Sequence, residues 1–351
     1  MGRIQGPTLI GRIAMHSILI PHRSRSRHLR LCVWSICRSA RQCGLGVPPA
    51  GRADWEIIVI DNSTHGSAPD QAAPEAECSL ADVGLLDRRV TIICDNSEMP
   101  IFNKSVLYNR GIEAAGVTDA ADRPRQRCGN DVLTFLDCDA IVGPEWMLGA
   151  RALSDRRITR LCYRVRYLNS GVGQGLLTQW PLERERIDDL FSRYNEHRLG
   201  YEAYGDADRN HPSRRGGRGR TSDYWRGRLR DNGSSALTDG EDNPHGNSQF
   251  SIRRDALGDI RYDEAYVGRG FGDLDINRRI AAAHGENYRG AIDYRPARCL
   301  LHLTHSYLAD WRTSQSHQKN RLRYRQLKRT LAQRTSVSVP QPAPAQRTVD
   351  A

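Results

Sequence analysis

The sequence predicts an α/β chain with a mainly parallel central sheet flanked by helices. Three observations carry this expectation: short, nearly wholly apolar runs recur through the first 140 residues, helical patterns separate them, and each of the later runs ends on an aspartate. Strands that are apolar on both faces belong to sheets covered on both sides, and their alternation with helices implies parallel crossovers. In such sheets ligands bind beyond the carboxyl ends of the strands.

The elements follow in order. Residues 1–15 are expected to form a loose leader. Its basic start, Met1-Gly2-Arg3, is followed by Gly6, Pro7, Gly11 and Arg12 instead of an apolar core, so it makes a poor secretory signal and a cytoplasmic setting is expected. Ser17-Ile18-Leu19-Ile20 reads as the first strand, stopped by Pro21. Leu29, Cys32, Val33, Ile36, Cys37 and Ala40 then recur at three- and four-residue spacing, which gives a helix with one apolar face. Trp55 to Ile60 is a second strand ending at Asp61, and Val90 to Cys94 a third ending at Asp95. Between them, Ser67 to Pro74 is rich in Ala, Pro and Ser and reads as a solvated connection. A helix is expected near Lys104 to Ala115, then a fourth strand, Val132 to Leu136, running into Asp137.

The second half is less regular. Leu161, Tyr163, Val165 and Tyr167 alternate with Arg164 and Arg166, as in one strand with a wet face, and Ile187, Leu190, Phe191 and Tyr194 mark an amphipathic helix. The stretch 205–246 is dominated by Arg, Gly, Asp and Ser, including Arg214-Arg215-Gly216-Gly217-Arg218-Gly219-Arg220, and reads as a long flexible insert. A basic helix is expected over 311–334, and the Pro-bearing tail 335–351 has nothing to pack with.

The 351 residues carry 52 Lys+Arg against 41 Asp+Glu, a net charge of +11, at a mean hydropathy of −0.63. No apolar run approaches the roughly 20 residues that span a bilayer, which excludes an integral helical membrane protein. The positive balance invites an anionic partner. Much of it lies in the Arg-rich insert and in the segment from Lys319 to Arg334, so it is peripheral, and contact of that periphery with the inner face of a membrane is one reading of it. The nine cysteines are scattered without a C-x-x-C pair, and Cys32, Cys37 and Cys94 fall on apolar-patterned segments, so reduced, buried thiols are expected.

The strongest local chemical signal is Phe135-Leu136-Asp137-Cys138-Asp139. Two carboxylates on the turn that leaves an apolar strand can converge, and hard oxygen donors suit Mg2+ or Mn2+. The competing reading is a solvated turn.

The neighbours of this motif resemble those of nucleotide-sugar glycosyltransferases of the GT-A fold: the large family 2 transferases and, in detail, the β-1,4-galactosyltransferase-like family. Four blocks in order carry the likeness. Ile20-Pro21-His22-Arg23-Ser24-Arg25 resembles the first strand and turn, and Glu56-Ile57-Ile58-Val59-Ile60-Asp61-Asn62-Ser63 the second strand. Phe102-Asn103-Lys104-Ser105-Val106-Leu107-Tyr108-Asn109-Arg110-Gly111 is similar to the Phe-Asn-Arg-x-x-x-Leu-Asn-x-Gly segment. Gly246-Asn247-Ser248-Gln249-Phe250, followed by Tyr262-Asp263-Glu264 and Gly268-Arg269-Gly270-Phe271-Gly272-Asp273-Leu274-Asp275, resembles the acceptor-side motif. Gly272 stands where the family usually has Glu, and Arg269 where galactosyltransferases have an aromatic.

The resemblance implies a single catalytic domain over 16–310, with a nucleotide-binding half (16–140) and an acceptor half (141–310). Donor contacts would come from Pro21, His22, Arg23, Arg25, Asp61, Asn103, Lys104, Arg110 and Asp137, with Asp61 on the base and Arg110-Gly111 at a helix start. Asp139, Asp137, His302 and His305 would hold Mn2+ or Mg2+, Asp273 would be the catalytic base, and Gly270 and Asp275 would meet the acceptor. The partners so implied are a nucleotide-sugar donor, specifically a UDP-sugar, and a saccharide acceptor, with inversion at the anomeric carbon.

Three rival classes differ in sequence. A nucleic-acid binder would account for the charge, but no helix-turn-helix, zinc or aromatic RNA-binding signature is present. A sugar-1-phosphate nucleotidyltransferase would need a glycine-rich basic loop after the first strand, and Pro21 to Arg27 contains no glycine. A degenerate transferase that only binds its ligands is motivated by Gly272.

Overall fold

A computed structural model describes residues 15–45, 55–63, 75–87, 89–97, 99–116, 128–129, 131–154, 156, 158–168, 170–179, 184–192, 200–202, 236–238, 249–268, 270–293, 295–303 and 314–337. The elements are β1 (His16–His22), α1 (Ser26–Gln42), β2 (Trp55–Asp61), α2 (Glu75–Ala81), β3 (Val90–Cys94), α3 (Lys104–Ala114), β4 (Val132–Phe135), β5 (Ala140–Val142) and α4 (Trp146–Gly149). They continue with β6 (Arg160–Tyr163), β7 (Val165–Leu168), α5 (Ser170–Thr178), α6 (Arg184–Ser192), β8 (Gly200–Glu202), β9 (Ala236–Thr238), β10 (Phe250–Arg253), α7 (Arg254–Leu257), α8 (Gly272–His284), β11 (Gly290–Asp293), β12 (Leu300–His302) and α9 (Gln315–Val337).

The predicted α/β architecture is present. An eight-stranded sheet runs in the order β3-β2-β1-β4-β10-β6-β11-β9, and its pairs are parallel except where β10 and β9 enter. A smaller sheet, β5-β12-β7-β8, lies beside it. The apolar face of α1 (Leu29, Cys32, Val33, Ile36, Ala40) packs with Ile18, Ile20, Ile57 and Val59, which form one face of the central strands. On the other face, Leu107, Tyr108 and Ile112 of α3 and Ile276 and Ile280 of α8 cover Leu19, Ile60, Leu133 and Phe135. The parallel strands are thus apolar on both sides because helices cover both, as their sequence requires.

Four expectations need correction. Pro21 lies inside β1 instead of ending it: β4 pairs with β1 only as far as Leu19, so a residue without an N–H fits where the strand has a ladder on one side alone. The expected strand through 161–167 divides at Arg164 into β6 and β7, which belong to different sheets. Its wet face does not exist on β7, where Arg166 is buried. Cys94 is exposed because β3 is the edge of the large sheet, whereas Cys32, Cys138, Cys162 and Cys299 are buried; all nine cysteines are free thiols. Of the stretch 205–246, the described part is β9, an edge strand on β11. The leader, apart from Met15, and the tail beyond Val337 lie outside the described residues. Among the described residues no helix is long and apolar enough to cross a membrane.

A polar chain crosses the middle of the large sheet. His16 Nε2 meets Thr134 Oγ1 at 2.7 Å, Thr134 meets Ser251 Oγ at 2.5 Å, and Tyr163 OH meets the same Ser251 oxygen at 2.7 Å. Burial lowers the pKa of His16 to about 4, so the folded protein keeps this imidazole neutral. Between pH 6.5 and about 4 the unfolded chain therefore binds more protons at this site than the folded one, so stability is lost as the pH is lowered through that window, by up to about 3 kcal/mol. His16→Gln, which retains a partner for Thr134 without titrating, should flatten this slope in urea melts at pH 4, 5 and 6.5. An unchanged slope would assign it to other groups.

Candidate active site

The carboxyl ends of β1, β2 and β4 point the same way, and the turns that follow β1 and β4 carry Arg23, Arg25, Asp137 and Asp139 at one edge of the sheet. After β4, the two carboxylates of the Asp-x-Asp motif are held by different partners. Asp139 accepts from Arg25 Nη1 at 2.8 Å and lies 3.5 Å from His302 Nε2. Backbone bonds fix this corner: Leu303 N donates to Asp139 O at 2.8 Å, and Ala140 N to Asp137 O at 3.2 Å. Asp137 instead accepts from Lys104 Nζ at 3.3 Å and from Tyr108 OH at 3.2 Å, with Gln249 Nε2 at 3.5 Å.

Lys104 joins the two halves of the chain. Its ammonium also donates to Asp273 Oδ2 at 3.2 Å, in the first turn of α8. Burial alone would lower the Lys104 pKa, but the charges of Asp137 and Asp273 outweigh it and hold it above its ordinary value. The Tyr108 hydroxyl is pushed well above the ordinary tyrosine range, by burial first and then by the Asp137 charge, so it serves as a hydrogen-bond donor. Asp273 and Asp137 keep 27% and 22% of their side-chain surface exposed. The cluster is therefore reachable from solvent.

The third block builds a frame for this cluster. Asn103 caps α3, its side chain accepting from Ser105 N at 3.1 Å and Val106 N at 3.4 Å while its amide donates to Glu264 O at 2.6 Å. Asn109 pairs with the Tyr262 backbone in both directions and with Glu264 Oε1. The block is thus cross-linked to 262–264, the segment that leads into α8.

Neither a protein-family model nor a curated protein matches the chain. Among solved structures it is similar to S. aureus TarS, with a TM-score of 0.45 and 10% identity over 83% of this chain and 37% of that one. It is also similar to the mannosyltransferase PcManGT from Pyrobaculum calidifontis, solved in complex with GDP-Man and Mn2+, with a TM-score of 0.43 and 12% identity over 95% of this chain and 67% of that one. The chain spans little more than a third of the TarS chain.

Several expected residues are placed in a supporting position. His22 and Asp61 are fully buried and bonded to each other at 2.9 Å, and Asp61 also accepts from Ser63 N and from Ala76 N at the start of α2. Burial would raise the Asp61 pKa, but the bonds from His22, Ser63 and Ala76 together keep it below its ordinary value. Pro21 is buried within β1. Arg23 Nη1 donates to Met99 O at 2.7 Å. Arg110 lies late in α3, away from its start, and pairs with the buried Asp95 at 2.7 Å. Gly111 next to it has a packing reason, since a Cβ there would meet Ile60 Cδ1 at 2.9 Å. Asp275 has 1% of its side chain exposed and is held by Tyr266 OH at 3.1 Å and Arg279 Nε at 2.7 Å; burial raises its pKa. Gly270 stands in the turn before α8 with φ at +92°. His305 lies outside the described residues.

Asp139 and His302 fit a divalent ion chemically, one offering carboxylate oxygen and the other imidazole nitrogen, a pair that suits Mn2+ better than Mg2+. Among the described residues no group of three or more His, Cys, Asp or Glu is arranged to hold a metal. Ions of this class complete their shell with water and substrate phosphates, so two protein donors are compatible with one. The sequence alone assigns no role to Gln249, Tyr108 or Arg279. Tyr108 and Gln249 gain their place from Asp137, far along the chain, whereas Arg279 meets Asp275 one helical turn away.

Proposed function

We propose that the chain is an inverting, divalent-metal-dependent glycosyltransferase of the GT-A type that moves a sugar from a nucleotide-diphosphate sugar, specifically a UDP-sugar, to a hydroxyl of a saccharide acceptor. The observation that carries this reading is the Lys104 bridge between Asp137, on the nucleotide side, and Asp273, on the acceptor side, beside the Asp139–His302 pair.

Two further features support an anionic donor. Neither α1 nor α3 has an acidic residue in its first turn, where acids are otherwise favoured. Arg25 and Lys104 stand there instead, and α1 has no side-chain cap, so its first-turn N–H groups and two cations meet at the strand ends, which suits a diphosphate. Asp139 and His302 would hold Mn2+ or Mg2+, which when bound supplies charge neutralisation for a leaving diphosphate.

The chain's own groups then do the following. Arg25 and Lys104 orient the diphosphate. Asp273 accepts the proton of the acceptor hydroxyl as that oxygen bonds to the anomeric carbon from the face opposite the leaving group; the bond from that carbon to the phosphate oxygen breaks, and the nucleoside diphosphate departs with the electron pair. One displacement inverts the configuration. Buried Asp61 and His22 hold the turn after β2, so their contribution to donor binding is to shape it.

A thermal-shift panel tests the reading. UDP-sugars and GDP-mannose with Mn2+, at about 100 times Kd, should raise Tm by about 5 °C, and EDTA should remove the shift. Absence of a shift with every nucleotide sugar, together with salt-sensitive binding of random oligonucleotides, would favour the nucleic-acid reading instead.

A further inference from the structure

We propose that α9 is part of the catalytic apparatus, with Asn320 and Tyr324 acting as positioning residues that hold the turn presenting Asp273. The proposal rests on the role given to Asp273 above and identifies what keeps that residue in place.

Helix α9 carries a predominantly exposed, basic surface, with Lys319, Arg321, Arg325, Lys328 and Arg329 turned to solvent. Asn320 interrupts this surface, being only 3% exposed. Its amide donates to Val267 O at 3.0 Å and to Gly270 O at 3.3 Å, two carbonyls of the turn immediately before α8. One helical turn further on, Tyr324 packs against Phe271, with ring centroids 5.5 Å apart, and His317 packs against the same ring at 5.1 Å. The Tyr324 hydroxyl accepts from Arg278 Nε on α8. Arg323 completes the set with two bonds to Asp263, at 2.5 and 3.0 Å. Contacts from four positions of α9 converge on 263–278 and on the single turn at its centre.

That turn needs holding. Phe271, the residue that begins α8, has φ at +68°, in the left-handed region that a side chain with a Cβ adopts only when its surroundings over-determine it. Gly268 at +74° and Gly270 at +92° precede it and accept such angles freely; Phe271 does not. The first backbone bond of α8 runs from Asp275 N to Phe271 O at 2.8 Å, so the Phe271 conformation sets the direction in which the helix starts. Asp273 is two residues further and reaches Lys104 from there. If Phe271 relaxes to a negative φ, the first turn of α8 re-aims and Asp273 leaves Lys104. The aromatic pair on Phe271 and the Asn320 bonds to the two carbonyls that precede it oppose that relaxation.

The test uses the full chain with Asn320→Ala, Tyr324→Ala and the conservative Tyr324→Phe, each followed by amide hydrogen exchange and by initial rates with the nucleotide sugar that gives the largest thermal shift. In the two alanine variants the amides of 271–276, Asp275 above all, should exchange at least about tenfold faster while β1, β2 and β4 stay protected. Turnover should fall by about 10- to 100-fold with donor KM unchanged within about twofold. Tyr324→Phe, which keeps the ring on Phe271 and loses only the bond from Arg278, should stay within about twofold of the parent, far from Tyr324→Ala. Unchanged exchange at 271–276, or an equal rise throughout the chain, overturns the proposal, because α9 would then be inert toward the turn or merely part of general stability. Faster local exchange with no transfer from any donor in parent or variants would leave the clamp standing and overturn the role of Asp273 instead. Tyr324 is only half-buried, so Tyr324→Ala carries the test if Asn320→Ala does not fold.

Discussion

Asp273→Asn should leave the fold and donor affinity intact and lower turnover at least about 100-fold, because it removes a proton acceptor while keeping the shape and one hydrogen bond toward Lys104. The side chain lies in the first turn of α8 with about a quarter of its surface exposed, so the amide enters no core and leaves no cavity. Loss of the charge frees Lys104 from one of its two carboxylates, and the remaining pair with Asp137 is sufficient to keep the ammonium in place. Kinetics at saturating donor and acceptor separate the outcomes: a fall in turnover with unchanged donor KM supports a base, whereas normal turnover would move the base elsewhere. Product configuration by NMR is the companion measurement, and a retained anomer would end the single-displacement reading.

Asp139→Ala should have an effect of similar or larger size by a different route. Stabilisation of a leaving diphosphate by a bound cation is worth several kcal/mol, which corresponds to a turnover loss of at least about 100-fold. The substitution also removes the partner of Arg25 and the neighbour of His302. The readout that isolates the metal is direct: free Mn2+ measured by electron paramagnetic resonance should fall on adding the parent protein with UDP and should not fall with the variant. Equal Mn2+ uptake by both proteins would place the ion elsewhere.

How much of this was legible in the sequence differs by kind of interaction. The parallel strands could be read from their apolar runs because a strand buried on both faces has no choice of composition, and their helices because the three- and four-residue spacing of Leu29, Cys32, Val33 and Ile36 is local. Pro21 misled because whether a strand tolerates proline depends on which sides are paired, and that is decided by β4 more than 100 residues away. Arg166 misled in the same way: alternation of arginine with apolar residues reads as the wet face of one strand, whereas the chain passes at Arg164 into a second sheet in which Arg166 is buried. The placement of Asp137 and Asp139 after a strand and of Asp273 at a helix start was legible because carboxylates there have sequence neighbours that frame them. The Lys104 bridge was not, since 33 and 169 positions separate its partners from it. Asp275 shows the limit of pattern: the same motif that exposes Asp273 turns Asp275 inward, onto Arg279 one turn later on the same helix.

The position of β10 has a consequence for how this chain must fold. β10 pairs antiparallel with β4 on one side and β6 on the other, and it is contributed by residues 250–253, long after β4 has left the ribosome. Until it arrives, β4 is an open edge of buried, apolar residues, the kind of edge that pairs with other chains. Residues 16–140 on their own therefore leave one ladder of the central sheet open. That ladder closes across more than 110 residues, which favours slow, cooperative assembly, and a nascent chain stopped near residue 140 would be prone to associate through β4.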